Sequence, residues 1–317
     1  MQIGLMVEGQ NGLTWERWTH ILALAERLRF PTVFRSDHYF TGPQRESLDA
    51  YLSFVLAARE TRSMRFGPLV TPVTFRRAID IGKMAAQLDV LSGGRFVMGL
   101  GIGWNVAEHK AYGLPFPGVR ERFERLEEAI LLMKALWKPG AGSFQGRHYQ
   151  MENVDCRPKP AAGRPPILIG GQGERQTLRL VAKYADEWNS PNLLPQDYAR
   201  KKAVLEQHCQ AVGRDPKSIR RSVMIFSMIG PDQKLVEAAT RKVMEMFGGR
   251  GPNSIKDFQA WASSRGMLVG QTEEALDRLG RFAELGVREV QLQHLDFASD
   301  ELPEYIASDI VPRAARL

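Results

Sequence analysis

FVMGLGIGWNVAEHKAYG, residues Phe96 to Gly113, places glycines at 99, 101 and 103 at the end of an apolar run. Glycine weakens a β-ladder and packs nothing, so three at alternate positions mark a strand that something approaches closely. The dinucleotide-binding fingerprint requires G-x-G-x-x-G after a strand and an acidic residue roughly twenty positions on. Here the spacing is G-x-G-x-G, within and just after the strand, and that reading fails. The stretch is better read as one strand and its following loop, with Trp104, Asn105, Glu108 and His109 in the loop.

Working outward, the same unit recurs. Short apolar runs QIGLMV, PTVFR, RFGPLV, RFVMGLG, PPILIGG, DEWNS, RRSVMIFSMIG and REVQLQHL alternate with segments of helical period such as ERFERLEEAILLMKALW. Strict alternation implies parallel strands, because each return needs a crossover helix. Eight units predict an α/β fold that closes as a TIM (β/α)8 barrel over residues 1–317, with an open doubly wound sheet as the rival. Two connections are too long for a minimal barrel. Segment 138–165 contains FQGRHYQMENV, which reads as a small hairpin, and segment 230–270 reads as helical and able to cap the barrel mouth.

Composition bounds the function. The formal charge is +7, from 43 Lys and Arg against 36 Asp and Glu, but the basic residues are scattered and no five-residue basic run occurs. Nucleic acid is therefore not expected as a partner. No uninterrupted apolar stretch is long enough for a membrane span, and the N-terminus lacks the features of a signal peptide. Cys156 and Cys209 are too few for a disulfide framework and read as free thiols in a cytoplasmic protein. The six histidines are dispersed, without H-x-x-x-H or H-E-x-x-H, so no metal site is expected. No G-x-S-x-G elbow supports a serine nucleophile.

In a barrel of this kind ligands sit at the C-terminal ends of the strands. The residues there are Ser36, Asp37 and His38; Val70, Thr71 and Pro72; Gly101 to His109; Gly170 to Glu174; Trp188, Asn189 and Ser190; and Gln291, Gln293 and His294. Polar groups concentrate at these positions, as in an enzyme. ILIGGQGERQTLRL offers a glycine-rich turn into a helix start, where free N–H groups suit a phosphate, although a plain tight turn reads equally well. Glu108 and His109 admit two readings: functional groups, or first-turn residues of a short helix capped by Asn105.

These pieces resemble the bacterial luciferase-like superfamily of flavin- and deazaflavin-dependent oxidoreductases. The likeness is carried by VFRSDHYF, by the segment from GPLVTPVTFRRAIDIG through GLGIGWNVAEHKAYGLPFP, by SFQGRHYQMENVDCRPKP, and by PPILIGGQGERQTLRLVAKYADEWN and VGQTEEALDRLGRFAELGVREVQLQ. It covers nearly the whole chain, and the wording GLGIGW and ILIGGQGE is nearest to the branch that uses coenzyme F420. The resemblance implies a TIM barrel with insertions whose mouth holds a deazaflavin ring. It implies a non-prolyl cis peptide at Leu69–Val70, and cofactor contacts from Asp37, His38, Leu69, Val70, Thr71, Gly101, Gly103, Trp104, Asn105, Gly170, Gly171, Gln172 and Asn189. The glycines at 99, 101 and 103 would then let the ring approach the backbone. His38 is the expected proton donor or acceptor, with Glu108 and His109 as further candidates. Relatives that oxidise sugar phosphates carry a glutamate where Trp104 stands, which argues against such a substrate. Implied function is F420-dependent hydride transfer to or from a small organic molecule. FMN-dependent monooxygenation is the alternative, and a non-catalytic flavin-binding protein a third. Relatives of this kind are often homodimers.

Overall fold

Each short apolar run forms a strand that pairs in parallel with its neighbours. The structure, a computed structural model, describes residues 1–42, 44–161, 163–294 and 299–317, without the side chain of His294. Eight strands make the ring: β1 Gln2–Val7, β2 Thr32–Arg35, β3 Arg65–Pro68, β4 Met98–Gly101, β5 Ile167–Gly170, β6 Glu187–Pro191, β7 Arg220–Gly230 and β8 Glu289–His294. β1 lies between β2 and β8, with Leu5 opposite both Val33 and Leu292. The ring continues from β8 through β7, β6 and β5 to β4. Between β3 and β4 it closes through a Phe66–Phe96 bridge, where the Val97 N–H donates to the Phe66 carbonyl at 2.9 Å. Beyond a break at residues 69 and 70, β3 resumes as Thr71–Pro72, which pairs with Leu100 and Gly101 of β4. The open-sheet rival is excluded, because both lateral edges of such a sheet are here paired.

The ring is filled in layers. At its N-terminal end Arg65 pairs with Glu187, and Arg220 with Glu289 at 2.7 Å. The Thr32 hydroxyl and the Gln291 amide also donate to Glu289. Two arginines balance two glutamates in this layer, which limits the cost of burying charge. Burial nevertheless holds the Glu187 carboxyl above its ordinary range, outweighing Arg65. Above this layer Met6, Phe34, Leu69, Val97 and Leu168 form an apolar plug. The barrel is therefore a packed core, and chemistry is confined to its C-terminal mouth.

Outside the ring, Ile3, Leu5, Val33 and Leu292 meet the helices. The helix Ala78–Ser92 ends at Gly93, whose φ of +67° is the left-handed conformation a helix stop favours. The hairpin expected in segment 138–165 is present as Gly142–Gln145 paired with Gln150–Val154. It is tied to the helix Val119–Trp137 by Glu128, whose carboxylate accepts the N–H groups of Arg147, His148 and Tyr149. Segment 230–270 is not wholly helical as expected. The helices Gln233–Phe247 and Ile255–Ser264 are followed by a strand, Leu268–Gln271, that pairs with the end of β7. Four residues between two helices are too few to show a period, so only the pairing partner defines the strand. A contact from Asn11 Nδ2 to Met246 Sδ at 3.2 Å brings this segment to the loop after β1, at the mouth.

Candidate active site

Asn105 follows the glycine strand and caps the helix Val106–Ala111, its side chain accepting the N–H groups of Ala107 and Glu108. The cap puts Glu108 and His109 in the first turn, as one of the two sequence readings held. Glu108 is 0% exposed and reaches across to the loop after β2. One carboxylate oxygen lies 2.8 Å from His38 Nδ1, and the other accepts the N–H groups of Tyr39 at 2.6 Å and Phe40 at 3.1 Å. Asn105 Nδ2 adds a bond to the Phe40 carbonyl. An ionised carboxylate only accepts, so the His38 proton sits on Nδ1 and Nε2 is left for the mouth. Burial depresses the His38 pKa, but the hydrogen bond and charge of Glu108, aided by Glu8 and Asp37, outweigh it and raise the pKa above the ordinary 6.5. Trp104, 65% exposed, stands edge-on to this imidazole with ring centroids 5.3 Å apart.

His109 is placed differently. Its Nδ1 donates to the Asn105 carbonyl and its Nε2 shares a hydrogen bond with the Thr74 hydroxyl, both at 2.7 Å, and the ring packs on Phe75 and Phe116. Both nitrogens are engaged, which holds the ring as a strut under the loop.

Asp37 is the centre of a second network. The Tyr51 hydroxyl donates to Thr71, and Thr71 donates to Asp37 Oδ2 at 2.8 Å. Arg76 reaches Asp37 with one nitrogen and Asp49 with another, both at 2.6 Å. The two carboxylates outweigh burial and raise the Arg76 pKa, so its charge is permanent. Asp37 thereby braces Thr71, the first residue past the break in β3.

That break is the cis peptide Leu69–Val70, at the expected place. The Val70 side chain lies against the glycine strand. A Cβ on Gly101 would lie 2.6 Å from Val70 Cγ2, one on Gly170 would lie 2.8 Å from Val70 Cγ1, and one on Gly99 would lie 1.9 Å from the Pro68 carbonyl oxygen. The reading of these glycines as bare backbone for a ring is corrected accordingly. What approaches Gly99 and Gly101 is the protein's own bulge, and Val70 forms the floor. Gly103, at φ +74°, makes the turn into the Asn105 cap.

After β5, Gly171 adopts φ +128° and its N–H donates to the Asn189 carbonyl. Trp188 Nε1 holds the Gly171 carbonyl, and Lys201 Nζ holds the Gln172 carbonyl at 3.0 Å. The helix Thr177–Tyr184 starts just beyond. The Asn189 side chain points elsewhere, donating to Ser222 and Gln291 inside the ring. His294, expected at the end of β8, has its side chain outside the described residues. The sequence reading missed Glu8, Gln10, Tyr51 and Arg76. Glu8 directly follows β1, so the same post-strand rule would have found it; Tyr51 and Arg76 arrive from helix and loop positions that no motif flags. Among the described residues, no group of three or more His, Cys, Asp or Glu is placed to hold a metal ion. No helix there is long and apolar enough to cross a membrane.

The mouth thus offers an apolar floor at Val70, an imidazole with one engaged nitrogen, an exposed indole and a glycine turn into a helix start. These features fit a flat ring carrying a phosphate-bearing tail, and no bulky side chain rises from Gly101, Gly103, Gly170 or Gly171.

Comparison with known proteins follows the same line. The chain is similar to the F420-dependent hydroxymycolic acid dehydrogenase of Mycobacterium tuberculosis, 32% identical over 75% of this chain; the match spans 65% of that protein. An FMNH2-dependent dimethylsulfone monooxygenase of Pseudomonas fluorescens is 25% identical over 86% of this chain and 79% of its own length. The backbone superposes on the coenzyme F420-dependent tetrahydromethanopterin reductase of Methanopyrus kandleri with a TM-score of 0.81, covering 98% of this chain and 99% of that one at 19% identity. A profile of the luciferase-like monooxygenases matches residues 1–289. With a barrel of that architecture and a match over most of its length, the chain belongs to the luciferase-like monooxygenase family.

Proposed function

We propose that the chain binds the deazaflavin F420 across the barrel mouth and catalyses hydride transfer between it and a small organic substrate, with His38 managing the accompanying proton. The observation that supports this reading is the Glu108–His38 pair at the strand ends, which engages Nδ1 of the imidazole and leaves Nε2 for a ligand. When bound, F420 supplies a carbon, C5, that accepts or donates hydride in a two-electron step. Val70 supports the ring, Asp37 and Thr71 hold the bulge, and the turn Gly170 to Gln172 receives the phosphate. In substrate oxidation, His38 Nε2 takes the hydroxyl proton, and Glu108 stabilises the imidazolium that results. Glu108 acts through His38 as a positioning residue, and His109 has no part in proton transfer. Trp104 covers the imidazole and disfavours sugar phosphates. FMN-dependent monooxygenation is the second reading, supported by the dimethylsulfone monooxygenase likeness. Titration of the protein with each cofactor separates them: submicromolar F420 binding with weak FMN binding is expected, and oxygen consumption with reduced FMN would refute hydride transfer. Flavin binding without turnover of any acceptor would favour the non-catalytic alternative.

The pH dependence has a definite sign. Because the folded pKa of His38 is raised, its contribution to stability is fully present below about pH 6.5 and is lost as pH rises through the raised value. Substrate oxidation needs the neutral ring, so kcat is expected to climb through that same raised value. Glu108→Gln removes the charge that raises it, and the climb should move to lower pH. A limb that stays in place in this variant assigns it to another group.

We also propose a homodimer, in a reducing compartment in which the buried Cys156 and Cys209 remain thiols. Leu52 and Val55 on the helix Ala50–Glu60, and Val90 and Leu91 on the neighbouring helix Ala78–Ser92, are exposed. Such a patch suits a partner copy better than water. Light scattering should give twice the chain mass of 35.7 kDa for the native protein and the single mass for a Leu52→Glu, Val90→Glu variant. A native monomer overturns it.

A further inference from the structure

A third polar cluster lies at the mouth, between the ends of β1 and β8. Glu8 is 8% exposed and Gln293 3%. The Glu8 carboxylate accepts an amide N–H from Gln10 and another from Gln293. Gln10 in turn accepts the Ser36 hydroxyl, so its own oxygen is engaged. Gln293 Oε1 is not: buried as it is, it has no hydrogen-bond partner among the described residues. The orientation of this amide is not free. A carboxylate cannot donate, so the nitrogen must face Glu8 and the oxygen must face away. An orphaned buried acceptor costs about 1–3 kcal/mol, and one beside a functional mouth calls for a partner that arrives from outside.

The charge around it says what kind of partner. Asp37 and Asp49 share Arg76, and Glu108 has His38, but among the described residues no cation lies within ion-pair distance of Glu8. Arg35 is near enough to feel Glu8, yet its nitrogens are bonded to Ser36, Ser53 and Leu48. On the β1–β2 side of the mouth, among the described residues, Glu8, Asp37, Asp49 and Glu108 therefore face Arg35, Arg76 and a histidine that is charged only when protonated. On this side of the mouth, among the described residues, carboxylates outnumber cations, although the chain as a whole is basic.

We propose that Gln293 Oε1 and the Glu8 carboxylate form a substrate subsite for a hydrogen-bond-donating group, a hydroxyl or an ammonium, separate from the carbon that exchanges hydride. The donor meets the orphaned oxygen and the uncompensated carboxylate together, and half-buried Phe226, opposite Gln293, and Met224, opposite Gln291, bound the space with apolar surface. This names a substrate class for the hydride-transfer reading and rests on it for its location. A mono-functional apolar molecule would leave both acceptors unmet, and an anion would be repelled.

The test uses three probes with one carbon skeleton: cyclohexanol, trans-1,4-cyclohexanediol and trans-4-aminocyclohexanol. Calorimetric titration into the full chain, with and without saturating F420, is expected to show at least tenfold tighter binding of the diol than of cyclohexanol, and tighter binding still of the amino alcohol. Gln293→Leu should erase both preferences. Glu8→Gln keeps the shape and removes the charge, so the amino alcohol should fall to the level of the diol; it also serves if Gln293→Leu does not fold, as judged by its melting curve. Binding of all three probes within threefold of one another, or an intact preference in Gln293→Leu, overturns the subsite. Intact preferences without any bleaching of F420 absorbance would leave the subsite standing and count against hydride transfer instead.

Discussion

His38→Ala is expected to lower kcat by roughly 10²- to 10⁴-fold, the range typical of removing a positioned general acid or base. The magnitude follows from the geometry. Nδ1 is held at 2.8 Å by a fully buried carboxylate, so the ring enters the reaction already oriented and Nε2 needs no search. The titratable groups nearest it are otherwise committed: Asp37 is engaged by Thr71 and Arg76, and His109 has both nitrogens occupied. F420 affinity should change only a few-fold, because the floor at Val70 and the turn at Gly170 to Gln172 are untouched. Added imidazole should restore part of the rate. A loss of kcat below tenfold, or a loss that appears entirely as weaker cofactor binding, would reassign the proton to another group and leave His38 as a wall of the pocket.

Barrel closure was legible because it depends on features that repeat: eight apolar runs, eight crossover segments and glycine stops such as Gly93. His38 was legible because its place after β2 is a consequence of the same alternation. What the sequence concealed are contacts between units. Glu108 and His109 are neighbours on one helical turn, yet one clamps the loop after β2 and the other braces Thr74 in the loop after β3. Nothing in the order of residues separates those roles; the Asn105 cap and the approach of the loop after β2 do. Arg76 likewise becomes part of the site only because Asp37 and Asp49 converge on it from different segments. The glycines were legible as a close approach but not as to what approaches, since Val70 and Pro68 come from the preceding strand.

That last point yields the sharpest structural prediction. Gly99→Ala and Gly101→Ala add the same methyl group two residues apart on one strand, and their outcomes should differ. At Gly99 the new Cβ would lie 1.9 Å from the Pro68 carbonyl oxygen and 3.1 Å from its carbon, which is backbone of the neighbouring strand in a closed ring. At Gly101 it would lie 2.6 Å from one methyl of Val70 and about as far as ordinary contact from anything else. Overpacking usually costs about 1–3 kcal/mol where side chains can yield, and more where they cannot. Gly101→Ala should therefore fall within that range, with Val70 tilting aside. The consequence is functional: the floor beneath the ring tips, and F420 affinity is expected to drop tenfold or more while the fold survives. Gly99→Ala should cost above about 3 kcal/mol, because relief requires moving Pro68 and with it the start of the bulge. At about 2 °C per kcal/mol for a chain of this size, its melting temperature should fall by roughly 6 °C or more, if it accumulates as folded protein at all. Equal melting temperatures for the two variants would mean that β3 and β4 are less rigidly joined at Pro68 than the Phe66–Phe96 bridge implies, and the floor would then owe its position to Asp37 and Thr71 alone.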